Sequence, residues 1–383
     1  MRIPLKSRKR KGFLAGVDQL LNSAVLILLL IGIVLVYAAT RDWFAANGLD
    51  PEYYLKRQVV NVIIGITLAC GTTLIDYRLL RAYTPFVWGL GVLGLVAVLI
   101  PGLGSTINGA RSWISFPGGL QFQPAELAKI SIIVGMALIL SERMTGLNRP
   151  SNKQVLQALA LAGLPMVLIV AQPDFGTVLI ISAAVITMIS LSGASLYWVT
   201  GLLVTGAVGV YVAVASGEVS EYQLDRLESF VDPLANPLAS GYQLRQARIT
   251  IGSGGLLGKG LFDGPQTNGR FVPEQQTDFI FTVAGEELGF LGSSFILLLY
   301  LILLMRAFAI ARTTTDLFGK MVCIGVVAWF SFQIFENIGM TMGVMPMTGV
   351  PLPFLSYGGS AMFANMIAFG LLQNVYQRTR RNS

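Results

Sequence analysis

The chain has 383 residues, 54% of them hydrophobic and only 12% charged, where a soluble domain carries about a quarter. It contains no histidine, which excludes a Ser-His-Asp triad, a Cys-His pair and any His-ligated metal site. The net charge of +7 comes from 27 Lys and Arg against 20 Asp and Glu, and the basic residues sit at the ends of apolar runs, so the excess reports membrane topology and no nucleic-acid partner.

The first predicted element is a basic tail over 1–18, in which "KSRKRK" places five positive charges in six residues. The apolar run at 21–39 is too long for a signal peptide and no small-residue cleavage site follows, so it reads as a retained helix. Nine further runs approach the roughly 20 residues that cross a bilayer. They lie at 59–75, 83–100, 124–141, 155–171, 176–192, 195–216, 279–305, 317–338 and 361–376. The expected fold is an all-α polytopic membrane protein of about ten transmembrane helices, one integral membrane domain over 1–383. Cys70 and Cys323 fall in separate runs and read as small core residues, with no disulfide framework. No internal repeat of a transporter kind stands out.

Basic residues mark the cytoplasmic side. Lys6, Arg8, Lys9, Arg10 and Lys11 precede the first run; Arg78, Arg81, Arg143, Arg149, Lys153, Arg306, Arg312 and Lys320 occupy alternate connections; Arg378, Arg380 and Arg381 end the chain. All share one side if both termini are cytoplasmic. The long loop over about 217–277 is then extracytoplasmic. Within it "GYQLRQARITI" suits a short interfacial helix. "GSGGLLGKG" at 252–260 lacks the first glycine and the final Ser or Thr of a phosphate loop, so it reads as a glycine turn whose amides could still meet an anion. "GVMPMTGVPLPFLSYGGS" at 343–360 is apolar, yet its three prolines and four glycines forbid a regular helix. Irregular backbone at membrane depth survives only when buried in protein or lining a wet cavity, so this stretch reads as re-entrant.

Polar residues beside membrane runs are functional candidates by default, and here they gather on the outer side. Arg111 lies in "NGARSWISFPG". Glu126 and Lys129, three apart on one helix face, follow Pro124, which suits a first helical turn. They serve equally well as a structural ion pair. Asp174 in "QPDFGT" is a site candidate or a helix cap. Asp225, Arg226, Arg245, Arg248 and Lys259 occupy the long loop, where the arginines could also meet lipid phosphates. "QQTDFIFTVAGEELGF" at 275–290 brings Asp278, Glu286 and Glu287 to the mouth of the eighth run. An anionic lipid-linked substrate suits the cations, and an acid at the rim suits proton abstraction from a hydroxyl. These residues alone do not separate a transferase from a transporter.

"QPAELAKI", "QPDFGT", "GYQLRQARITIGSGGLLGKG", "FVPEQQTDFIFTVAGEELG" and "GVPLPFLSYGGS", in this order across nearly the whole chain, resemble the shape, elongation, division and sporulation (SEDS) family of bacteria. "GMTMGVMPMTGVPLPF" looks more like the elongation branch than the division branch. The resemblance implies a peptidoglycan glycosyltransferase that polymerises lipid II at the outer face of the cytoplasmic membrane, within the elongation machinery and beside a class B penicillin-binding protein. It places the family's essential aspartate at Asp278, in the role of general base. Glu126 and Lys129 fall on the family's "QPSE…K" positions, and Gln223, Arg226 and Gln246 on polar positions in and after the long loop. With Arg111, Asp174, Arg245, Lys259, Glu286 and Ser356 they form the expected substrate-binding set, in which Arg111, Lys129 and Arg226 would hold pyrophosphate. Glu286 would lie about 12 Å deeper than Asp278 on a continuous helix, in a supporting role. A divalent cation, Mg or Mn, could share the leaving-group charge through carboxylates. Many relatives have histidine where this chain has Gln276, so a relay through imidazole cannot be general. A partner helix is expected on the membrane face of the eighth and ninth runs, where Gly285, Gly289 and Gly292 permit close approach. The alternative readings are a lipid II flippase and a scaffold for the penicillin-binding protein.

Overall fold

A computed structural model describes residues 16–107, 110–116, 120–142, 149–217, 221–232 and 240–382. The basic cluster at Lys6–Lys11, Arg143 and parts of the long loop lie outside the described residues. The chain opens with α1 (Gln19–Ala38), short α2 (Arg41–Ala46), α3 (Tyr53–Leu74) and α4 (Tyr77–Leu99). Strands β1 (Gly104–Ile107), β2 (Ala110–Phe116) and β3 (Leu120–Phe122) follow, then α5 (Pro124–Ser141), α6 (Asn152–Val170), α7 (Phe175–Leu191) and α8 (Leu196–Ala215). The long loop holds α9 (Glu221–Val231), α10 (Ser240–Ser253) and α11 (Pro265–Asn268). The chain closes with α12 (Ile280–Glu287), α13 (Gly289–Thr313), α14 (Leu317–Met342) and α15 (Gly359–Asn382).

Eight helices among the described residues are long and apolar enough to cross a membrane. The 17-residue α7 and α15, whose last turns are polar, pack among them and complete the ten expected runs. Local chemistry sets the helix starts. Asp18, Asp174 and Asp316 accept the amides of Leu21, Thr177 and Gly319, and Ser151 with Gln154 forms a capping box at α6, satisfying amides that a helix start leaves open. α5 and α14 pack at the centre of the bundle and are the most buried of these eight helices, and α15 is buried along most of its length. Small residues permit this: Gly91 of α4 lies so close to Ser131 of α5 that an added Cβ would sit 2.4 Å from its Oγ. α8 has no buried residue at all.

Two polar networks sit at opposite ends of the bundle. At one, Arg306 pairs with Asp18 at 2.5 Å, Arg378 with Asp76 at 3.1 Å, and the Tyr77 hydroxyl bonds Asp316 at 3.1 Å. The other end carries α2, the strands, α9 to α12 and the irregular 343–358 segment. The 350–356 stretch of that segment is mostly buried, and α10 forms where the interfacial helix is expected.

Two features differ from the sequence reading. The fold is not wholly helical: residues 104–122 form a small antiparallel sheet in the order β1-β2-β3. The eighth run is two helices. Gly289 has φ +66°, a left-handed conformation natural to glycine, and a Cβ there would lie 2.2 Å from the Gly258 amide nitrogen. The helix therefore breaks, and α12 stays with the loop elements while α13 spans.

Candidate active site

Asp278 lies one residue before the N-cap of α12. That cap is Phe279, and no side chain caps the helix, so the carboxylate is not spent on capping. The backbone around Asp278 is pinned from both flanks. Asn337 of α14 donates to the Asp278 carbonyl at 2.8 Å and to the Val350 carbonyl at 2.6 Å. Ser356 donates to the Thr277 carbonyl at 2.6 Å and accepts the Leu352 amide at 2.8 Å. The Tyr357 amide donates to the Gln276 carbonyl at 2.9 Å. The irregular segment thus acts as the floor on which Asp278 is mounted.

Gly349 shows what surrounds the carboxylate. Its φ is +74°, and a Cβ there would lie 3.3 Å from Asp278 Oδ2 and 3.6 and 3.7 Å from the two terminal nitrogens of Arg226. The carboxylate and the guanidinium therefore approach one point. Burial, and then the negative charges of Glu274 and Asp174, push the Asp278 carboxyl up to about 7, while Arg226 pulls the other way. Burial disfavours the charged form and like charges add to it.

Asp278 opens into a cavity of about 1680 Å³ with two parts. Its polar head is lined by Asp278, Glu274, Arg226, Gln223, Asp174 and Arg57, among others. Its apolar limb runs between α6, α7 and α8, past Leu159, Met166, Val178, Val185, Leu202 and Val210. The splaying of α8 from the bundle creates this limb.

The expected site residues divide. Asp278, Asp174, Gln223 and Arg226 line the cavity. Asp174 caps α7 and also accepts Gln123 Nε2 at 2.9 Å, so it holds the α5 and α7 starts together at the rim. Ser356 is buried in the floor, its hydroxyl used by backbone. Glu126 and Lys129 form a buried pair at 2.9 Å. Lys129 also reaches Gln333 at 3.4 Å and lies 4.7 Å from the Trp329 ring centre; the pair belongs to the α5–α14 core and is not part of the cavity wall. Arg111 donates to the Ile100 carbonyl at 2.9 Å and fastens the sheet to the end of α4. Its neighbours Ser112 and Trp113 line the cavity instead.

The remaining residues lie off the cavity. Arg245 and Gln246 sit on α10 and do not line it; Arg248 of the same helix donates to the Gly343 carbonyl at 3.1 Å. Lys259 is exposed, and its amide is spent on the Glu286 carbonyl at 2.9 Å, as the Gly260 amide is on Glu287 at 3.2 Å. The glycine turn therefore offers these amides to no anion. Glu286 is not set deeper on a spanning helix. Its buried carboxylate accepts Gln266 N at 2.9 Å, Thr267 N at 2.7 Å and Thr267 Oγ1 at 2.6 Å, closing the α11 loop onto α12. Gly285 and Gly289 pack against Ile251 and Gly258 of the same chain, so neither is free for a partner helix. α14 is mostly interior; the broad exposed apolar face belongs to α13, with Phe290, Phe295, Leu298, Leu301 and Met305.

Sequence reasoning missed the α3 contribution. Tyr54, Lys56, Arg57 and Asn61 line the cavity, with Glu274 and Tyr357. The polar and aromatic "YYLKRQ" ahead of the second run carried that signal. Lys56 is already paired with Asp50 at 2.9 Å and Glu52 at 3.2 Å. Among the described residues no three His, Cys, Asp or Glu side chains group so as to hold a metal ion, and no step is assigned to one.

Spanning helices around a polar site at one end, with a floor of irregular backbone, define an integral membrane protein. A family model described as a cell cycle protein, FtsW/RodA/SpoVE, matches residues 18–381, and the chain belongs to this family. It is 36% identical over 363 residues to stage V sporulation protein E of Bacillus subtilis, covering 95% of this chain and 98% of that protein. It is 36% identical over 367 residues to the probable peptidoglycan glycosyltransferase FtsW of Trichlorobacter lovleyi, covering 96% and 95%. It is 35% identical over 350 residues to the peptidoglycan glycosyltransferase MrdB of Escherichia coli K12, covering 91% and 92%. Sporulation, division and rod-shape relatives are thus equally near, and the expected leaning to the elongation branch is not resolved. Among solved structures, the fold matches Thermus thermophilus RodA with a TM-score of 0.69 at 29% identity, covering 96% of this chain and 98% of that one. It also matches a chain of a peptidoglycan synthase complex described as coordinating polymerization and crosslinking, with a TM-score of 0.77 at 30% identity, covering 95% and 98%.

Proposed function

We propose that the protein is a peptidoglycan glycosyltransferase that polymerises lipid II, with Asp278 as general base. One observation carries this reading: a single cavity joins a long apolar limb to a polar head floored by Asp278 and Arg226. A polyprenyl tail suits the limb, and a pyrophosphate-linked disaccharide suits the head. The 4-hydroxyl of one GlcNAc loses its proton to Asp278 as its oxygen bonds to C1 of a MurNAc. The bond from C1 to the pyrophosphate oxygen breaks, and the electron pair leaves on the pyrophosphate. A carboxyl poised near neutrality is suited to this proton transfer. Arg226 and Arg57 meet the charge that grows on the leaving group, where a fixed cation favours the transition state over the ground state. Arg111 and Lys129 are not assigned to pyrophosphate.

The cavity-bearing end faces outward and both termini are cytoplasmic in this reading, in keeping with the Lys and Arg bias. A class B penicillin-binding protein docks on the exposed face of α13. The elongation role rests on the 339–354 motif. Confinement of the charged lining to one end favours transfer over flipping, since a flippase needs polar groups along a path through the bilayer. Purified protein in bilayers, given lipid II, is expected to yield a ladder of glycan strands on a gel. Movement of lipid II across vesicles with no strand formed would replace this reading with the flippase.

A further inference from the structure

Two buried acids adjoin at the end of α12, and only one of them is satisfied. Glu286 accepts the amides of Gln266 and Thr267 and the Thr267 hydroxyl. Glu287 beside it is 1% exposed, yet neither of its carboxyl oxygens closes a hydrogen bond. As a carboxylate it would hold a buried charge with no partner, the costliest state for such a group. The neutral acid avoids that cost. Burial pushes the Glu287 carboxyl up to about 7, with the charges of Glu286 and Asp42 adding to the effect and the Phe262 amide and Arg41 opposing it. The reaction described above makes no use of this group.

The 258–264 loop covers Glu287. The Lys259 and Gly260 amides donate to the Glu286 and Glu287 carbonyls at 2.9 and 3.2 Å, and a Cβ on Gly258 would lie 2.1 Å from the Glu287 carbonyl oxygen. Phe262 has φ +72°, a left-handed conformation that is costly for a bulky residue. Its ring meets the Arg41 guanidinium at 4.5 Å and the Tyr37 ring edge-on at 5.7 Å. The loop is thus closed against backbone strain. The charges that face Glu287 are Glu286 on its own helix and Arg41 and Asp42 on α2, which pair with each other at 2.7 Å. The loop carries Lys259 and Asp263, both exposed. α10 carries Arg245 and Arg248, the second held at the Gly343 carbonyl. α1 and α11 carry no charge, α13 has Arg306 and Arg312 only in its last two turns, and α14 has Lys320 and Glu336.

We propose that Glu287 is a proton-operated latch on the 258–264 loop: as a neutral acid it stays buried with the loop shut over α12, and on losing its proton it favours the open loop, where the carboxylate reaches water. The proposal does not rest on the glycosyltransferase reading. The sign of the pH dependence follows from the two forms. The open loop exposes a carboxyl with its ordinary value of 4.5, while the closed loop holds it at about 7. Closure is therefore firmest below 4.5, weakens as pH rises to about 7 and is constant above. Asp278 lies just ahead of α12 and Glu287 ends it, so the latch sets how firmly the far end of that helix is anchored.

The test is amide hydrogen exchange of the full chain in bilayers from about pH 5 to about pH 8, corrected for the intrinsic pH dependence of exchange. Protection of the Lys259 and Gly260 amides is expected to fall about tenfold per pH unit up to about 7 and then to level. Glu287→Gln, neutral at every pH, is expected to lose this slope. Glu287→Met, of similar length and without a polar oxygen, is expected to lose it too, which separates the lost proton from a misfitting amide. On α2, Arg41→Gln removes an opposing cation and should move the levelling point to higher pH; Asp42→Asn removes a like charge and should move it lower. PH-independent protection in the parent, a slope that survives in Glu287→Gln, or a levelling point unmoved in both α2 variants overturns the latch. Exchange needs no turnover, so a protein that shows the latch yet forms no strand faults the catalytic reading alone.

Discussion

At the scale of the residue, the account turns on the protonation of Asp278. Its carboxyl is raised from an ordinary 3.8 to about 7, so kcat/KM should climb with pH through about 7 as the base form fills. The causes give the direction of two shifts. Glu274→Gln removes a negative neighbour and should move the rising limb to lower pH; Arg226→Gln removes the opposing cation and should move it higher, each by roughly one unit. A limb unmoved in both variants would show that another group titrates. Stability runs the opposite way. Between 3.8 and about 7 the folded protein holds a proton that the unfolded chain has lost, so this group's contribution falls as pH rises across that window and is flat above it. Asp278 was legible in the sequence because an acid directly ahead of an apolar run is costly unless used. The charge of Arg111 was visible in the sequence, while its carbonyl partner at Ile100, which holds it off the cavity wall, was not. Arg57 was overlooked because it sits in a helix whose apolar part begins later.

At the scale of the element, the Glu126–Lys129 pair shows how far spacing can be trusted. Three residues apart on α5, the two were legible as partners, and they do meet. Which way they face was not legible, because α5 is apolar on all sides and so gives no inward stripe. Lys129→Ala leaves a buried carboxylate without its cation, which should cost about 3–5 kcal/mol and appear as a lowered Tm. A joint Glu126→Gln, Lys129→Met variant should recover much of it. Lost polymerisation at an unchanged Tm would instead return Lys129 to the active site. The break at Gly289 escaped the sequence reading because a glycine inside an apolar run looks the same whether it packs or bends the helix. The sheet at 104–122 had signals in "NG" and "PGG", both turn-formers, that the surrounding apolar runs overshadowed.

At the scale of the whole molecule, ten runs and their alternation were legible from hydropathy and basic residues, and the irregular 343–358 floor from its prolines. The position of α8 was not, since an apolar helix reads alike facing lipid, protein or a substrate tail. Its splaying gives the cavity its limb, and filling that limb is a test. Gly163 lines it, and a Cβ there meets nothing within 4 Å, so Gly163→Trp should fold normally. It should raise KM for long-chain lipid II more than for a short-chain analogue; an equal effect on both would remove the tail from the limb. The central claim is that this cavity performs glycosyl transfer with Asp278 as its base. Asn keeps the shape of Asp278 and abolishes its basicity, and no cap depends on the carboxylate. The direct measurement is strand formation from lipid II by purified Asp278→Asn protein, with thermal stability and lipid II binding measured alongside. The account predicts a folded protein that binds lipid II and makes no glycan at any pH; glycan made at near the parent rate would contradict it.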